Sequence, residues 1–370
     1  MSKQPRPIVH VVPYYPPHVG GMENVARTVA EGLSETGRTV EVLASTSGRS
    51  RAPRVERRGN LTVRRLRAIE FAHLPFMPTL LYQLLRVPRR ALVHVHMAQA
   101  YAPEMVWLSG VLRRRPYVAH FHLDVEPSGP LGPIFVAYKR WVLGPVLRSA
   151  ARVIVLTEAY AEFVHQRYGA AVERIVVVPN GVAEEFFRSP SERAGHDGPF
   201  RLLFVGRLAP QKNVARLLEA IAATTRPVEL AIVGDGEERA LLEGLISELH
   251  LGNVRMVGSR TGADLVRWYR WADAFVSPSD KEGMPLVILE AMAAGLPVVS
   301  TDVPGSRETI GTDGLLTPLD PAAMASAIDR LACDPQLAAE LGRRAYERAG
   351  RHLWPLVLAN LEDVYRSVAA

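Results

Sequence analysis

The chain of 370 residues is poor in cysteine, in lysine and in long hydrophobic runs. Its one cysteine, Cys333, can form no intramolecular disulfide, so the fold does not require an oxidising compartment. The longest uncharged apolar stretch, residues 71–85, is shorter than the roughly 18 residues of a spanning helix, and Pro75 and Pro78 interrupt it. Pro13 breaks the apolar run near the start, and no secretory signal is visible. We therefore expect a cytoplasmic protein that is not integral to a membrane.

Composition and charge indicate two globular parts with different partners. Hydrophobic residues make up 48% of the chain and charged residues 22%, which excludes a disordered chain or a collagen-like repeat. At roughly 150 residues per domain, the length predicts two domains. Residues 1–180 hold 24 Lys+Arg against 12 Asp+Glu, whereas residues 181–370 hold 20 against 26. A basic first half suits phosphates, anionic lipid or nucleic acid.

Short β-branched runs alternate with helical patterns, seven runs between residues 8 and 178 and five between residues 202 and 300. Most runs are continuously hydrophobic, which is typical of parallel strands covered on both faces. We therefore predict an α/β protein with two doubly wound domains, residues 1–180 and 181–352, joined by the loop-rich segment 179–199. Two such domains facing each other are expected to form a ligand cleft at the carboxyl ends of their strands.

The most informative motif is KEGMPLVILEAMAAGLPVVSTD, residues 281–302. Glu282 is predicted in a loop after a strand, where it can accept hydrogen bonds from sugar hydroxyls. Glu290 lies in the following helix and can reach a ribose diol. The start of that helix is a ready anion site, formed by the amides of Gly283, Met284, Leu286 and Val287. The alternative is that Glu282 is a surface loop charge and Glu290 a solvated helix residue. The apolar helix around Glu290 and the strand after it make the whole motif more specific than the spacing of the two glutamates alone.

A second motif, FVGRLAPQKN, places two cations near the end of a predicted strand. Arg207 leaves the strand and Lys212 comes five residues later, before a helix. Two cations converging there would clamp a diphosphate and stabilise it as it leaves. Ordinary loop solvation is the alternative, and the acidic motif in the same half of the chain weighs against it.

The segment HVGGMEN contains Gly20 and Gly21 between the first strand and the first helix. Glycines there permit close approach of the backbone to a ligand, and their amides face the helix start. The spacing is not G-x-G-x-x-G, so the dinucleotide fingerprint is absent. A plain tight turn is the alternative.

Histidines alternate on two predicted strands. His120 and His122 share a face if their strand continues, and Asp124 could orient an imidazole. A metal pair is conceivable, but no third ligand of suitable spacing is evident, so no metal is expected. We expect structural roles for His94 and His120, and a ligand-facing role for His122.

Four segments together resemble glycosyltransferase family 4: VPYYPPHVGGME, VPNGV, VGRLAPQKN and EGMPLVILEAMAAGLPVV. The resemblance covers essentially the whole chain in the correct order. It implies the GT-B fold, with two Rossmann-like domains and a last helix, residues 353–370, that packs back on the first domain. It also implies a retaining transferase that uses a nucleotide sugar.

The resemblance assigns roles to individual residues. Arg207 and Lys212 match the cations that bind the donor diphosphate, and Glu282 matches the residue that bonds sugar hydroxyls. Glu290 matches the ribose ligand, and His122 the histidine near the reacting sugar. Gly20 and Gly21 match the loop of the N-terminal domain that lies against the phosphates or the acceptor. The chain departs from the family at Met284-Pro285, where many members have Phe-Gly or similar.

These assignments imply transfer of a hexose from a UDP- or GDP-linked donor to an acceptor hydroxyl of a small molecule or a lipid-linked glycan. No metal or other cofactor is expected, because the cations stand where Mg²⁺ would neutralise charge. Two alternatives remain open. One is another GT-B enzyme, such as a nucleotide-sugar epimerase or a phosphorylase, and the latter needs a pyridoxal-phosphate lysine. The other is a nucleic-acid-binding module, against which the Arg residues at 51–67 lack interleaved aromatics.

Peripheral contact with an anionic membrane at its inner face is a further expectation. The segment Arg49–Arg67 contains eight arginines and one acid, Glu56. Such cations beside exposed apolar residues would dock on an anionic leaflet. The apolar residues that follow are Phe71, Leu74, Phe76, Met77, Leu80, Leu81 and Leu84. The alternative is an ordinary strand followed by a core helix.

Overall fold

The computed structural model describes residues 6–18, 20–47, 52–71, 74–97, 100–124, 137–189 and 196–369. They form two compact units, the first comprising Met1–Asn180 with Pro355–Ala370 and the second Gly181–Trp354.

The strands are β1 (Ile8–Val11), β2 (Val40–Ser45), β3 (Val55–Arg58), β4 (Leu61–Leu66), β5 (Ile69–Phe71), β6 (Leu74–Phe76), β7 (Leu92–Met97), β8 (Tyr117–Phe121), β9 (Arg152–Val155), β10 (Ile175–Val177), β11 (Phe200–Val205), β12 (Val228–Val233), β13 (Val254–Met256), β14 (Ala274–Ser277), β15 (Val298–Thr301) and β16 (Leu315–Thr317). The helices are α1 (Gly21–Glu35), α2 (Leu80–Arg86), α3 (Ala102–Arg113), α4 (Gly144–Ser149), α5 (Glu158–Tyr168), α6 (Val214–Ala223), α7 (Arg239–Glu248), α8 (Gly262–Trp271), α9 (Leu286–Ala293), α10 (Ser306–Ile310), α11 (Pro321–Cys333), α12 (Pro335–Ala349) and α13 (Trp354–Ala369).

The first unit contains an eight-stranded sheet in the order β10-β9-β8-β7-β1-β2-β4-β3. All pairs are parallel except β3 with β4. Strand order reverses between β1 and β7, the position at which open α/β sheets bind ligands. One face of β7, with Val93 and Val95, belongs to the main apolar core, and the opposite face carries His94 and His96.

The second unit contains six parallel strands in the order β13-β12-β11-β14-β15-β16. The order reverses between β11 and β14, so the loops after these two strands meet at one edge. Its core includes Leu202, Phe204, Ile232 and Val276, all at most 1% exposed. These four side chains share one face of the sheet, and Leu203, Val233 and Phe275 on the opposite face are also at most 1% exposed. Burial of both faces explains why the strands contain so few polar residues.

The predicted α/β architecture with two doubly wound sheets is therefore confirmed. The strands and helices that the sequence pattern did not predict are short. Three of them, β3, β5 and β6, lie outside the parallel part of the first sheet, and β3 has an exposed, charged sequence that no hydrophobic pattern reveals. The others are β16 and α10. After residue 124 the chain is described again from residue 137, and a π-helical turn, Lys139–Leu143, precedes α4.

The segment predicted as a linker, 179–199, differs from that expectation, because residues from Gly181 onward belong to the second unit. Val182 forms a bridge to Leu353, and Phe186 is 8% exposed. The amide of Arg188 donates to the carbonyl oxygen of Ala293. Residues 190–195 lie outside the described part of the chain. Side chains of this loop pack into the second unit, which a glycine- and proline-rich composition does not reveal.

Helix α13 packs on the first unit. The Arg38 guanidinium bonds both carboxylate oxygens of Glu362, with Nε 2.9 Å from Oε1. A Cβ at Gly32 would lie 2.4 Å from Cδ1 of Leu358, so α1 and α13 approach closely there. The last helix therefore packs in the first unit and not in the second.

Of the apolar residues expected at a membrane surface, three are buried in the core, whereas Phe76 is 45% exposed. Met77, Leu80 and Leu84 are all 0% exposed and belong to the apolar core of the first unit. Within the described residues, no helix combines the length and hydrophobicity that crossing a bilayer requires. The alternative interpretation, a strand followed by a core helix, agrees with β4 and α2, but the hairpin β5–β6 lies between them and its Phe76 is exposed.

Candidate active site

The two motifs of the second unit meet through Lys212 and Glu282. Lys212 ends a 3₁₀ turn, Pro210–Lys212, in the loop after β11, and Glu282 lies in the loop after β14. The ammonium Nζ is 2.5 Å from Oε1 of Glu282, and the glutamate is only 5% exposed. A charge-assisted bond at this depth holds both side chains in one geometry.

Backbone and side-chain bonds hold these two loops together. The amide of Asp280 donates to the carbonyl of Gln211 at 2.9 Å, and Gln211 Nε2 donates to the carbonyl of Lys281 at 2.7 Å. Asn213, in the left-handed region at φ 44°, caps α6 and donates to the carboxylate of Asp280. Arg216 forms an ion pair with the same carboxylate at 2.7 Å. Sequence reasoning missed these supporting residues, although Asn before an apolar helix is a capping signal.

Arg207 and Lys212 lie in the same loop, but the structure records no contact between them. Arg207 is exposed just after β11 and forms no ion pair with any other described residue. Its carbonyl accepts from the amide of Ala209 at 3.0 Å, which turns the loop toward Lys212. The guanidinium is thus available to an anionic ligand, whereas the ammonium already has a partner.

Helix α9 starts at Leu286, so Pro285 stands just before its first turn. The amides of Leu286 and Val287 occupy the first turn, where no intrahelical acceptor exists. They follow Gly283 and Met284, which are buried beside Glu282. The positive end of the helix dipole therefore lies four residues after Glu282 in sequence.

Glu290 lies on α9 and bonds Tyr269 of α8, a partner that the sequence did not indicate. The Tyr269 hydroxyl donates to Oε2 of Glu290 at 2.7 Å and contacts the carbonyl of Val287 at 3.3 Å. Burial raises the pKa of the Glu290 carboxyl to about 7; Tyr269 opposes this shift and the charge of Glu185 adds to it. The alternative of a solvated helix residue is wrong, because the carboxyl is half-buried and bonded.

Sequence reasoning also missed Gly234, which follows β12. Its φ is +155°, and a Cβ there would lie 1.8 Å from the carbonyl oxygen of Gly206. The turn after β12 therefore packs backbone against backbone on the turn that leads to Arg207, and only glycine allows that approach. The V-G-D-G sequence directly after a strand is the signal that could have revealed it.

In the first unit, Gly20 lies against the Glu23 carboxylate. A Cβ on Gly20 would come 2.1 Å from Oε2 of Glu23, while Gly21 at the start of α1 has nothing within 4 Å of such an atom. Glu23 is 5% exposed, and its Oε1 lies 3.1 Å from Nδ1 of His18. Val19, between them, is outside the described residues. The glycine pair thus accommodates a buried carboxylate that sequence reasoning did not consider.

The predicted role of Asp124 is wrong. Its carboxylate does not orient an imidazole, because Oδ2 accepts from Nζ of Lys139 at 2.8 Å and Oδ1 accepts from the hydroxyl of Tyr168 at 2.7 Å. His122 is instead bonded by His96, whose Nδ1 lies 2.9 Å from His122 Nε2. His122 is 7% exposed, and burial lowers its pKa to about 3, so the ring is neutral.

A third imidazole lies beside the histidine pair, although the linear spacing showed no third ligand. Ring nitrogens of His96, His120 and His122 all lie within 4.8 Å of one another, and so do those of His10, His94 and His96. Strand pairing explains this, because His10 is in register with His94 and His96 with His120. Linear spacing along one strand could not reveal ligands contributed by three strands.

Comparisons with known proteins agree with this arrangement. The sequence model of Glycosyltransferase Family 4 matches residues 19–186, and that of Glycosyl transferases group 1 matches residues 199–334. A phosphatidyl-myo-inositol mannosyltransferase of Mycolicibacterium smegmatis is 30% identical over 97% of this chain and 93% of its own length. A GDP-mannose-dependent alpha-mannosyltransferase of the same organism is 29% identical over 95% of both chains.

The fold is shared with solved structures. The structure of Alr3699/HepE from Anabaena in complex with UDP matches with a TM-score of 0.78 over 98% of this chain and 100% of that chain, at 22% identity. Similarity along nearly the whole length, with the two motifs in adjoining loops, leads to one conclusion: the chain belongs to glycosyltransferase family 4 and is a glycosyltransferase of the GT-B fold.

Proposed function

We propose that this protein transfers a hexosyl group from a nucleoside-diphosphate sugar to an acceptor hydroxyl with retention of anomeric configuration. The observation that carries the proposal is the Lys212–Glu282 pair beside the start of α9. It puts a cation for a diphosphate and an acceptor for sugar hydroxyls in direct contact. In a nucleotide-sugar donor, the reaction breaks the bond between the sugar and the diphosphate. A cation for the diphosphate and an acceptor for the sugar hydroxyls are therefore both expected beside that bond.

Donor binding exchanges the partners of this pair. Lys212 turns from Glu282 to a phosphate oxygen, and the released carboxylate accepts hydrogen bonds from the sugar. Arg207 and the amides of Leu286 and Val287 supply further positive charge, since an α-helix start favours anions. Stabilising the departing diphosphate in this way is the main contribution of the enzyme to lowering the barrier. We therefore propose transfer without a metal ion on the diphosphate.

Glu290 is proposed to hold the ribose. With a pKa of about 7, its carboxyl is both donor and acceptor near neutrality, which suits a vicinal diol. Tyr269 fixes the rotamer of the carboxyl, so the diol meets a preorganised group. Gly20, Gly21 and His122 of the first unit are proposed to serve the acceptor side.

The relatives narrow the substrates. One is a GDP-mannose-dependent transferase and another a phosphatidyl-myo-inositol transferase. We propose a GDP- or UDP-hexose donor and a polyol acceptor of the cyclitol class, free or lipid-linked. We propose contact with an anionic membrane on the basis of exposed arginines and of Phe76, which is exposed. Arg57 and Arg67 are exposed, but Arg65 is buried and paired with Glu56.

A panel of UDP-, GDP- and ADP-sugars tests the donor. The sugar nucleotide that binds should raise the Tm by mass action, and more than the matching nucleoside diphosphate does. With that donor and myo-inositol as acceptor, proton NMR of the product should show the anomeric configuration of the donor, in chelator as well as in Mg²⁺. A panel without any Tm shift overturns the donor assignment. An inverted product or loss of turnover in chelator overturns retention or metal independence.

A further inference from the structure

Five buried histidines line one face of the first sheet where its strand order reverses. His10 lies on β1, His94 and His96 on β7, and His120 and His122 on β8 or just after it. His10, His94 and His96 are each 0% exposed. Histidine rarely occupies a fully buried position, and a buried ring nitrogen without a partner destabilises the fold. Three neighbouring imidazoles in the core therefore need a physical explanation.

Hydrogen bonds through Nδ1 already orient two of these rings. His94 Nδ1 lies 2.6 Å from the hydroxyl of Tyr365 on α13, and His96 Nδ1 lies 2.9 Å from His122 Nε2. Nε2 of His94 thus has no partner among the described residues, whereas Nε2 of His96 faces Nδ1 of His10. Metal-binding histidines have this arrangement, in which the second nitrogen is fixed by an outer hydrogen bond.

The remaining nitrogens converge. The ligand atoms of His10, His94 and His96 lie within 4.8 Å of one another, and His10 Nδ1 is 3.1 Å from His96 Nε2. Two nitrogens bound to one tetrahedral Zn²⁺ at 2.0–2.1 Å are about 3.3 Å apart. Among the described residues, Nε2 of His94 and Nε2 of His10 have no hydrogen-bond partner. For all three residues to bind one tetrahedral ion, their ligand atoms, now within 4.8 Å of one another, would have to close to about 3.3 Å.

We propose that His10, His94 and His96 form a site for a late first-row transition-metal ion such as Zn²⁺. Tyr365 and His122 are its outer partners. The ion bonds His96 Nε2, so the proton of His96 stays on Nδ1 and is donated to His122. The histidines belong to the first unit, and the ion is not proposed to neutralise a diphosphate.

The chemistry of the cluster decides which ions bind. Imidazole nitrogens suit Zn²⁺, Cu²⁺ and Ni²⁺, whereas Mg²⁺ and Ca²⁺ require oxygen ligands. The nearest carboxylate in sequence, Asp124, is already bonded to Lys139 and Tyr168. No carboxylate belongs to either histidine group found among the described residues. Mg²⁺ is therefore a matched negative control.

The test uses untagged full-length protein, because a histidine tag would bind the same ions. The purified protein should carry close to one equivalent of metal by elemental analysis, or take up one equivalent of Zn²⁺ with a saturable rise in Tm. Co²⁺ should give the intense visible absorption of a tetrahedral nitrogen site, and Mg²⁺ should change neither signal. Wild-type protein that stays metal-free and shows no Zn²⁺-dependent Tm shift overturns the proposal.

Variants locate the site. His94→Asn should abolish Co²⁺ absorption, and Tyr365→Phe, which keeps every ligand, should weaken Zn²⁺ binding by roughly 10–100-fold. His165→Asn, outside the cluster, should bind like wild type. If His94→Asn fails to fold, Tyr365→Phe still tests the proposal, since an unchanged affinity contradicts an outer-shell role. Loss of binding in His120→Asn, with full binding in His94→Asn, would assign the metal to the other triad and overturn this one.

Discussion

Lys212 and Glu282 are 70 residues apart in the chain, yet the ammonium and carboxylate lie 2.5 Å from each other. The contact exists because β11 and β14 are neighbours, so the loops after them share one edge of the sheet. Both residues were expected to bind the donor, one through phosphate and the other through sugar. The structure shows in addition that the two side chains are bonded to each other, so each holds the other in place before the donor binds.

Replacing Glu282 with Ala should nearly abolish transfer while leaving nucleoside diphosphate affinity equal to or above that of wild type. The variant loses the acceptor for sugar hydroxyls but frees Lys212 for phosphate. Calorimetry with the diphosphate and with the sugar nucleotide, together with kcat/KM, measures both effects. Asp264→Asn, which removes an exposed carboxylate paired with Arg267, is the control. Equal losses for both ligands would contradict a role on the sugar.

Removal of either cation should weaken the stabilisation of the leaving group. Arg207→Ala and Lys212→Ala should each lower kcat/KM by about 2–4 kcal/mol of transition-state stabilisation. Arg207→Lys should recover only part of the loss, because a bidentate fork is replaced by a point charge. Steady-state kinetics with saturating acceptor measures this, with Arg343→Ala, an exposed helix residue, as control. Near-normal rates would exclude the clamp.

The pKa of Glu290 should make stability depend on pH. Its folded-state pKa of about 7 exceeds the ordinary value of 4.5, so the folded state binds more protons between these limits. The free energy of unfolding should therefore fall as pH rises from about 5 to 7, and Glu290→Gln should remove this decline. Relative to wild type, the stability of the variant should rise on the order of 2–3 kcal/mol between pH 5 and pH 8. Urea unfolding at both pH values measures it, and parallel curves would contradict the raised pKa.

Two glycines should respond oppositely to alanine. Gly234→Ala places a Cβ 1.8 Å from a backbone carbonyl at a φ of +155°, so it should destabilise by about 2–4 kcal/mol. Gly244→Ala, inside α7 with nothing within 4 Å of the new atom, should stabilise by about 0.5–1 kcal/mol. Thermal unfolding of both variants checks the contrast. A tolerated Gly234→Ala would mean that the turns after β11 and β12 move apart easily.

His122→Ala should reduce transfer more than donor affinity, because His122 is proposed to act on the acceptor side. Single-turnover rates and calorimetry with the sugar nucleotide separate the two quantities. His165→Ala is a control on α5, outside the histidine cluster. A variant with normal turnover would leave His122 with a structural role only.

The sequence by itself determined the two α/β units, most strand positions and the family. Hydrophobic runs of strand length and 3.6-residue helical patterns are local signals, and burial of both sheet faces makes them strong. The sequence also indicated Lys212 as a diphosphate ligand and Glu282 as a sugar ligand, each within its own motif. The short edge strand β3 was not predicted, because its charged side chains lie in solvent and follow no burial pattern.

Only the tertiary structure decided which of these groups touch. The Lys212–Glu282 pair, the Tyr269 hydroxyl on Glu290 and the histidine cluster all join residues from different strands or helices. Strand order sets these contacts, and it depends on how whole sheets bury their faces rather than on any local pattern. The same physics explains the wrong role for Asp124, since its partners Lys139 and Tyr168 come from elements that follow it in sequence and fold back onto it.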